Sequence, residues 1–254
     1  MSWHEGPMLM GDAETTGVQP HLDRIVTFAL IFGGRGQTQQ EEGWLINPGI
    51  EIPEGAAAVH GITTERARDE GVDPRKAIPE IADAVIYHTR RGVPFVGFNC
   101  SFDLTMLLAE TIRYGSPAQV EALRSVRPII DTFVLDKWAD RYRKGSRKLV
   151  DVAAHYGVDL SEQDAHGAAA DALAAGRIAW HIANKYPGAQ GSAFVVHDWL
   201  IDEKREQAES FGAYLRKQGK PDDVSREWPI QSPPEGWSPD QLPTPATEST
   251  GDAA

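Results

Sequence analysis

Apolar residues gather in strand-length runs along the start of the chain, each bounded by turn residues. Residues 8–14 and 24–32 carry the first two strand-like runs, the second through Ile25-Val26-Thr27-Phe28-Ala29-Leu30-Ile31, with a turn over residues 17–23 between them. A third run, Gly43-Trp44-Leu45-Ile46-Asn47, is stopped by Pro48-Gly49. Three consecutive strands predict a hairpin-rich sheet edge.

The pattern then changes to strands alternating with helices. Helical spacing covers residues 77–89, 102–113, 148–156 and, in an alanine-rich stretch, 168–183; strand-like segments fall at residues 94–98 and 129–131. This order predicts an α/β domain over residues 1–187, a mixed sheet flanked by helices. A C-terminal helical extension is expected over residues 188–231, with a charged helix at 202–217. Residues 232–254 hold so much Pro, Ser, Thr and Gly that a disordered tail is expected.

Composition narrows the class. A chain of 254 residues with 41% hydrophobic content can bury one substantial core. Cys100 is the single cysteine, which excludes a disulfide framework and a multi-cysteine zinc site and suits a reducing, cytoplasmic setting. The first ten residues do not read as a signal peptide, and no segment approaches the ~20 apolar residues of a membrane span, so no membrane partner is expected. The formal net charge of −12 opposes broad adhesion to phosphate backbones. Contact with nucleic acid would have to be local, either through cations held on carboxylates or through the basic run Lys137, Arg141, Arg143, Lys144, Arg147 and Lys148, which equally fits a solvated face.

Three short patterns carry candidate chemistry. Asp12 and Glu14 end the first strand two residues apart, so their carboxylates share a face with Cα atoms ~7 Å apart; taken alone, such a pair is usually a polar strand end. Asp103 follows the strand Phe95-Val96-Gly97-Phe98 at the start of a helix, where functional groups gather in parallel sheets and where plain helix-start aspartates are common too. Asn99 fits a turn as well as a site. His166 and Asp171 lie five apart, about 140° around a helix, so His166 is expected in the loop before the alanine-rich helix, able to swing over Asp171.

Asp12-x-Glu14, Asn99-x-x-x-Asp103 and His166-x-x-x-x-Asp171, in this order, resemble the three exonuclease motifs of the DnaQ-like (DEDDh) 3′-5′ exonuclease family, which includes epsilon proofreading subunits of bacterial DNA polymerase III. Ala58-Val59-His60-Gly61-Ile62-Thr63 and Ile130-Asp131-Thr132 are similar to further family segments, and the likeness spans roughly residues 7–185. Gly11 and Ala13 depart from it, standing where many members carry a bulky apolar residue and a threonine, with looser strand packing as the expected consequence.

The resemblance implies a ribonuclease H-like fold, three antiparallel strands followed by parallel ones. It also implies two Mg²⁺ or Mn²⁺ ions on Asp12, Glu14, Asp103 and Asp171, with Asp12 bridging them, and His166 as general base. The substrate would be single-stranded DNA or a frayed 3′ end, with a separate DNA polymerase as partner. Backbone groups around Thr15 and Thr16 would approach the terminal nucleotide. His60 would flank its base or make a structural hydrogen bond, and Phe102 would lie near it or simply fill the core. A ribonuclease T-like exoribonuclease shares these motifs. A binding module that has lost activity, docking a partner through Trp228, Trp237 and the Pro-rich tail, is the reading from another class.

Overall fold

In a computed structural model, the structure describes residues 1–34, 38–161 and 167–243. The described residues form a five-stranded sheet in the order β3-β2-β1-β4-β5: β1 (Pro7–Thr15), β2 (Ile25–Gly34), β3 (Gln40–Leu45), β4 (Phe95–Gly97) and β5 (Ile129–Asp131). The first three pair antiparallel, whereas β4 runs parallel to β1 and β5 parallel to β4. This is the ribonuclease H-like mixed sheet that the motif order implies. β1 is central, and the carboxyl ends of β1 and β4 open on one edge where the strand order reverses, the usual place for a site in such sheets.

Helices α1 (Glu54–His60), α2 (Thr64–Glu70), α3 (Pro74–Arg90), α4 (Ser101–Tyr114), α5 (Pro117–Arg124), α6 (Thr132–Ala139), α7 (Leu149–Tyr156), α8 (Ala168–Lys185) and α9 (Ala193–Lys217) complete the described chain. α3, α4 and α5 pack together beside β4 and β2, while α8 crosses β1, β2 and β4 with α6 and α7 beside it. None of these helices is long and apolar enough to cross a membrane.

The buried stripe of α8 that packs on the sheet is built mostly from small residues, Ala168, Ala172, Ala175, Gly176, Ala179 and Ala183, with Ile178 and Ile182 among them. A Cβ at Gly176 would sit 2.5 Å from Cγ of Met10 on β1, so any larger residue would force the Met10 side chain to move. Gly11 has a similar explanation. A Cβ there would fall 2.6 Å from Cζ of Phe95, whose fully buried ring fills the space; the strand packing at this departure from the family pattern is tight, not loosened.

α1, α2, α5 and α6 were not expected from the pattern, and α9 begins nine residues before the charged stretch at 202–217. The first turns of α9 lie along β5, where buried His197 accepts the Ile129 amide through Nδ1 at 3.1 Å. Residues 232–243 carry no helix or strand and run across the domain as a strap, with buried Trp228 just before them and half-buried Trp237 within them making hydrogen bonds to Asp131 and the His21 carbonyl. Residues 244–254 lie outside the described residues.

Candidate active site

β1 delivers Asp12 and Glu14 to the open sheet edge, and the register against β2 shifts between Glu14 and Thr15 while Thr15 stays paired with Ile25. From across the sheet α8 brings Asp171 in its first turn. One carboxylate oxygen from each of Asp12, Glu14 and Asp171 lies within 4.8 Å of the others. Asp103, in the first turn of α4, completes the group from the β4 side with only 4% of its surface exposed.

The electrostatics follow from this crowding. Burial, then the charges of Asp103, Asp171 and Glu14, hold the Asp12 carboxyl well above its ordinary range. Burial and the charges of Asp171 and Asp103 push Glu14 up to about 8. Asp103 rises to about 7 through burial, tempered by its own amide and that of Ala13. Among the described residues no lysine or arginine forms an ion pair with Asp12, Glu14 or Asp103. Crowded oxygen-only ligands of this kind fit hard divalent cations such as Mg²⁺ or Mn²⁺.

The other expected residues separate into groups. Thr15, Thr16 and His60 share a cleft of about 790 Å³ with Glu14. The Thr16 hydroxyl is committed to the turn, donating to Asp23 Oδ1 at 3.1 Å and accepting the Arg24 amide at 3.0 Å. His60 closes α1, its Nδ1 accepting the Ile62 amide at 3.1 Å. Phe102 packs on the core, and exposed Asn99 adopts a left-handed φ of 57° at the β4–α4 turn, which asparagine tolerates. His166 lies outside the described residues. Cys100 is fully buried and burial pushes its thiol well up, which leaves it unsuited to nucleophilic work.

Sequence reasoning passed over Asp131 as part of the site. Fully buried at the end of β5, it accepts the Asn99 and Phe133 amides on Oδ1, each at 3.0 Å, and Trp228 Nε1 on Oδ2 at 3.3 Å. It thereby fixes the turn from which Asp103 projects. The available signal was an aspartate directly after a short apolar strand and before a helix. The basic run also changes meaning: Arg143 and Arg147 both grip buried Asp136 at 2.7 Å, and Arg141 pairs with Glu206 at 2.8 Å.

The sequence profile of the exonuclease family matches residues 9–179, a span that contains all four carboxylates. The chain belongs to the exonuclease family. It is similar to the DNA polymerase III subunit epsilon-like protein of Rhodobacter capsulatus, 30% identical over 167 residues, 64% of this chain and 22% of the relative. It is similar also to the DNA polymerase III subunit epsilon of Buchnera aphidicola, 27% identical over 66% of this chain and 68% of the relative. Of the PolC-type DNA polymerase III of Ureaplasma parvum, 27% identical, the chain spans only 10%. In fold it resembles Escherichia coli exonuclease I solved with a dA16 oligonucleotide, with a TM-score of 0.59 and 21% identity over 79% of this chain and 44% of that one.

Proposed function

We propose that this member of the exonuclease family is a divalent-metal-dependent 3′→5′ exonuclease that removes nucleoside 5′-monophosphates from DNA 3′ ends, as in proofreading or repair. The observation that carries the reading is the convergence of Asp12, Glu14 and Asp171 oxygens within 4.8 Å, with buried Asp103 beside them. In water such charges would be dispersed; here the fold holds them together, which costs stability unless cations join them.

Asp12, Glu14, Asp103 and Asp171 would hold two Mg²⁺ or Mn²⁺ ions. Bound there, such ions supply positive charge for activating water and for stabilising the leaving oxygen. His166, in the segment just before α8, would take the proton from the attacking water as it forms the new P–O bond. The bond to the 3′ oxygen then breaks, that oxygen gains a proton, and the strand is one nucleotide shorter. Residues 1–187 would carry this chemistry, with 188–231 as a helical extension. Single-stranded DNA or a frayed end is the substrate this reading names, and a separate polymerase the partner in a proofreading role.

Digestion of 5′-labelled single-stranded DNA and RNA tests it. A ladder that shortens from the DNA 3′ end with Mg²⁺ or Mn²⁺ and stops with EDTA is expected. His166→Ala should lower turnover by about 10²- to 10⁴-fold while metal binding, read by calorimetry, persists. A ladder on RNA alone would transfer the enzyme to RNA, and cleavage indifferent to EDTA would remove the metal role.

A further inference from the structure

We propose that the strap segment 237–243 is a specificity-determining wall of the nucleotide cleft, restricting it to an unpaired strand. The proposal rests on the exonuclease reading and adds to it a part of the chain outside the family match, which ends at residue 179.

Leu242 and Pro243 line the same cleft as Glu14, Thr15, Thr16 and His60. Three of the large apolar side chains that this protein leaves exposed line it as well: Val18 at 86%, Val59 at 51% and Leu242 at 59%. Apolar groups gathered around a cavity that ends in carboxylates suit a nucleobase, whose faces take apolar and stacking contact, with its phosphate toward the acidic end. A cleft of about 790 Å³ has room for the unpaired end of a strand. A base pair with both its backbones would need the space that Leu242 and Pro243 fill.

The strap is held as a fixed wall. Gln231 donates its amide to Thr105 Oγ1 at 3.0 Å, and Trp237 Nε1 donates to the His21 carbonyl at 2.8 Å. Arg113 Nε donates to the Pro239 carbonyl at 2.8 Å and its guanidinium lies 5.6 Å from the Trp237 ring centre; Arg24 reaches the Gln241 carbonyl at 3.4 Å. Buried Glu110 fixes both arginines from below, 2.7 Å from Arg113 and 3.8 Å from Arg24. These anchors end at residue 241 and deliver the next two residues to the cleft.

The test compares a chain ended after residue 243 with one ended after residue 236, and adds Leu242→Asp in the full chain, a change at an exposed position that spares the fold. Thymidine 5′-monophosphate with Mn²⁺ is titrated by calorimetry into each. Rates are read on a single-stranded oligonucleotide and on the same 3′ end paired in a duplex. Loss of the wall should weaken nucleotide binding about tenfold, in the range of a lost base contact. It should also raise KM on the single strand and reduce the preference for single strands over paired ends.

Equal affinity and equal preference in both ended chains and in Leu242→Asp would overturn the proposal. So would a gain in kcat/KM on single strands, which would make the strap a barrier, or no nucleotide binding by any chain. Strap-dependent nucleotide binding without cleavage of any strand would sustain the wall and remove the exonuclease reading. If the chain ended after 236 does not fold, Leu242→Asp decides alone.

Discussion

Two buried acidic regions of this protein are built on opposite principles. At Asp136 the chain supplies its own counter-charge: the carboxylate is fully buried on α6, and Arg143 and Arg147 each approach it at 2.7 Å, tying α6 to the loop before α7. At the sheet edge Asp12, Glu14 and Asp103 instead face one another and Asp171, and their mutual repulsion adds to burial in raising Asp12 and Glu14. The Asp136 charge is neutralised by arginines of the chain, whereas among the described residues no lysine or arginine forms an ion pair with Asp12, Glu14 or Asp103. The exchange of stability for function is therefore local.

Asn substitutions should separate the two regions most sharply. Asp12→Asn should lower exonuclease turnover by about a thousandfold or more, since the charge stabilisation at stake is several kcal/mol. In metal-free buffer at pH 8 it should raise the melting temperature, because one repelling charge is gone; a lower melting temperature would mean that Asp12 is stabilising by itself.

Asp136→Asn should do the reverse. It strands two arginines beside a group that no longer neutralises them, a loss of about 3–5 kcal/mol, or on the order of 10 °C in melting temperature. Turnover below the transition should survive. Equal losses of activity from the two variants would dissolve the distinction between the regions.

pH sharpens it further. The folded state keeps protons on Glu14 up to about 8 and on Asp103 up to about 7, against ordinary values of 4.5 and 3.8. Folded protein thus binds more protons than unfolded across this window, so their contribution is complete below pH 4 and is lost as pH rises to 8. Metal-free melting temperature should fall across that interval, and Mn²⁺ should restore it at the alkaline end. A profile that is flat with and without Mn²⁺ would contradict the crowding. The smallest effect is expected at the exposed Arg141–Glu206 pair, where Arg141→Ala should leave melting temperature and turnover unchanged.

What the sequence made legible follows from periodicity. β1 and β2 announce themselves as apolar runs of strand length bounded by turn residues, β-branched in β2, and Asp12 and Glu14 because residues two apart on a strand share a face. α1 and α2, seven residues each, have too few turns for a helical period to emerge. Arg143 and Arg147 looked available because their partner Asp136 lies seven and eleven residues back, outside any regular spacing. In the strap, Pro and Ser content argued for disorder, and Trp228 and Trp237 were read only as groups that could dock a partner; their contacts with Asp131 and the His21 carbonyl lie more than ninety residues away in sequence, beyond the reach of any local pattern.

The seat of His197 under Ile129 has a consequence for how this enzyme may be divided. β5 is the last strand of the sheet, and a terminal strand presents unpaired backbone groups that invite another chain to add on. α9 masks that rim, with a side chain taking the first amide of the strand. A chain cut at residue 187 would keep all four carboxylates and still expose a sticky border, so its fate in solution should be self-association. The extension thus shields a border that the nuclease chemistry itself does not need.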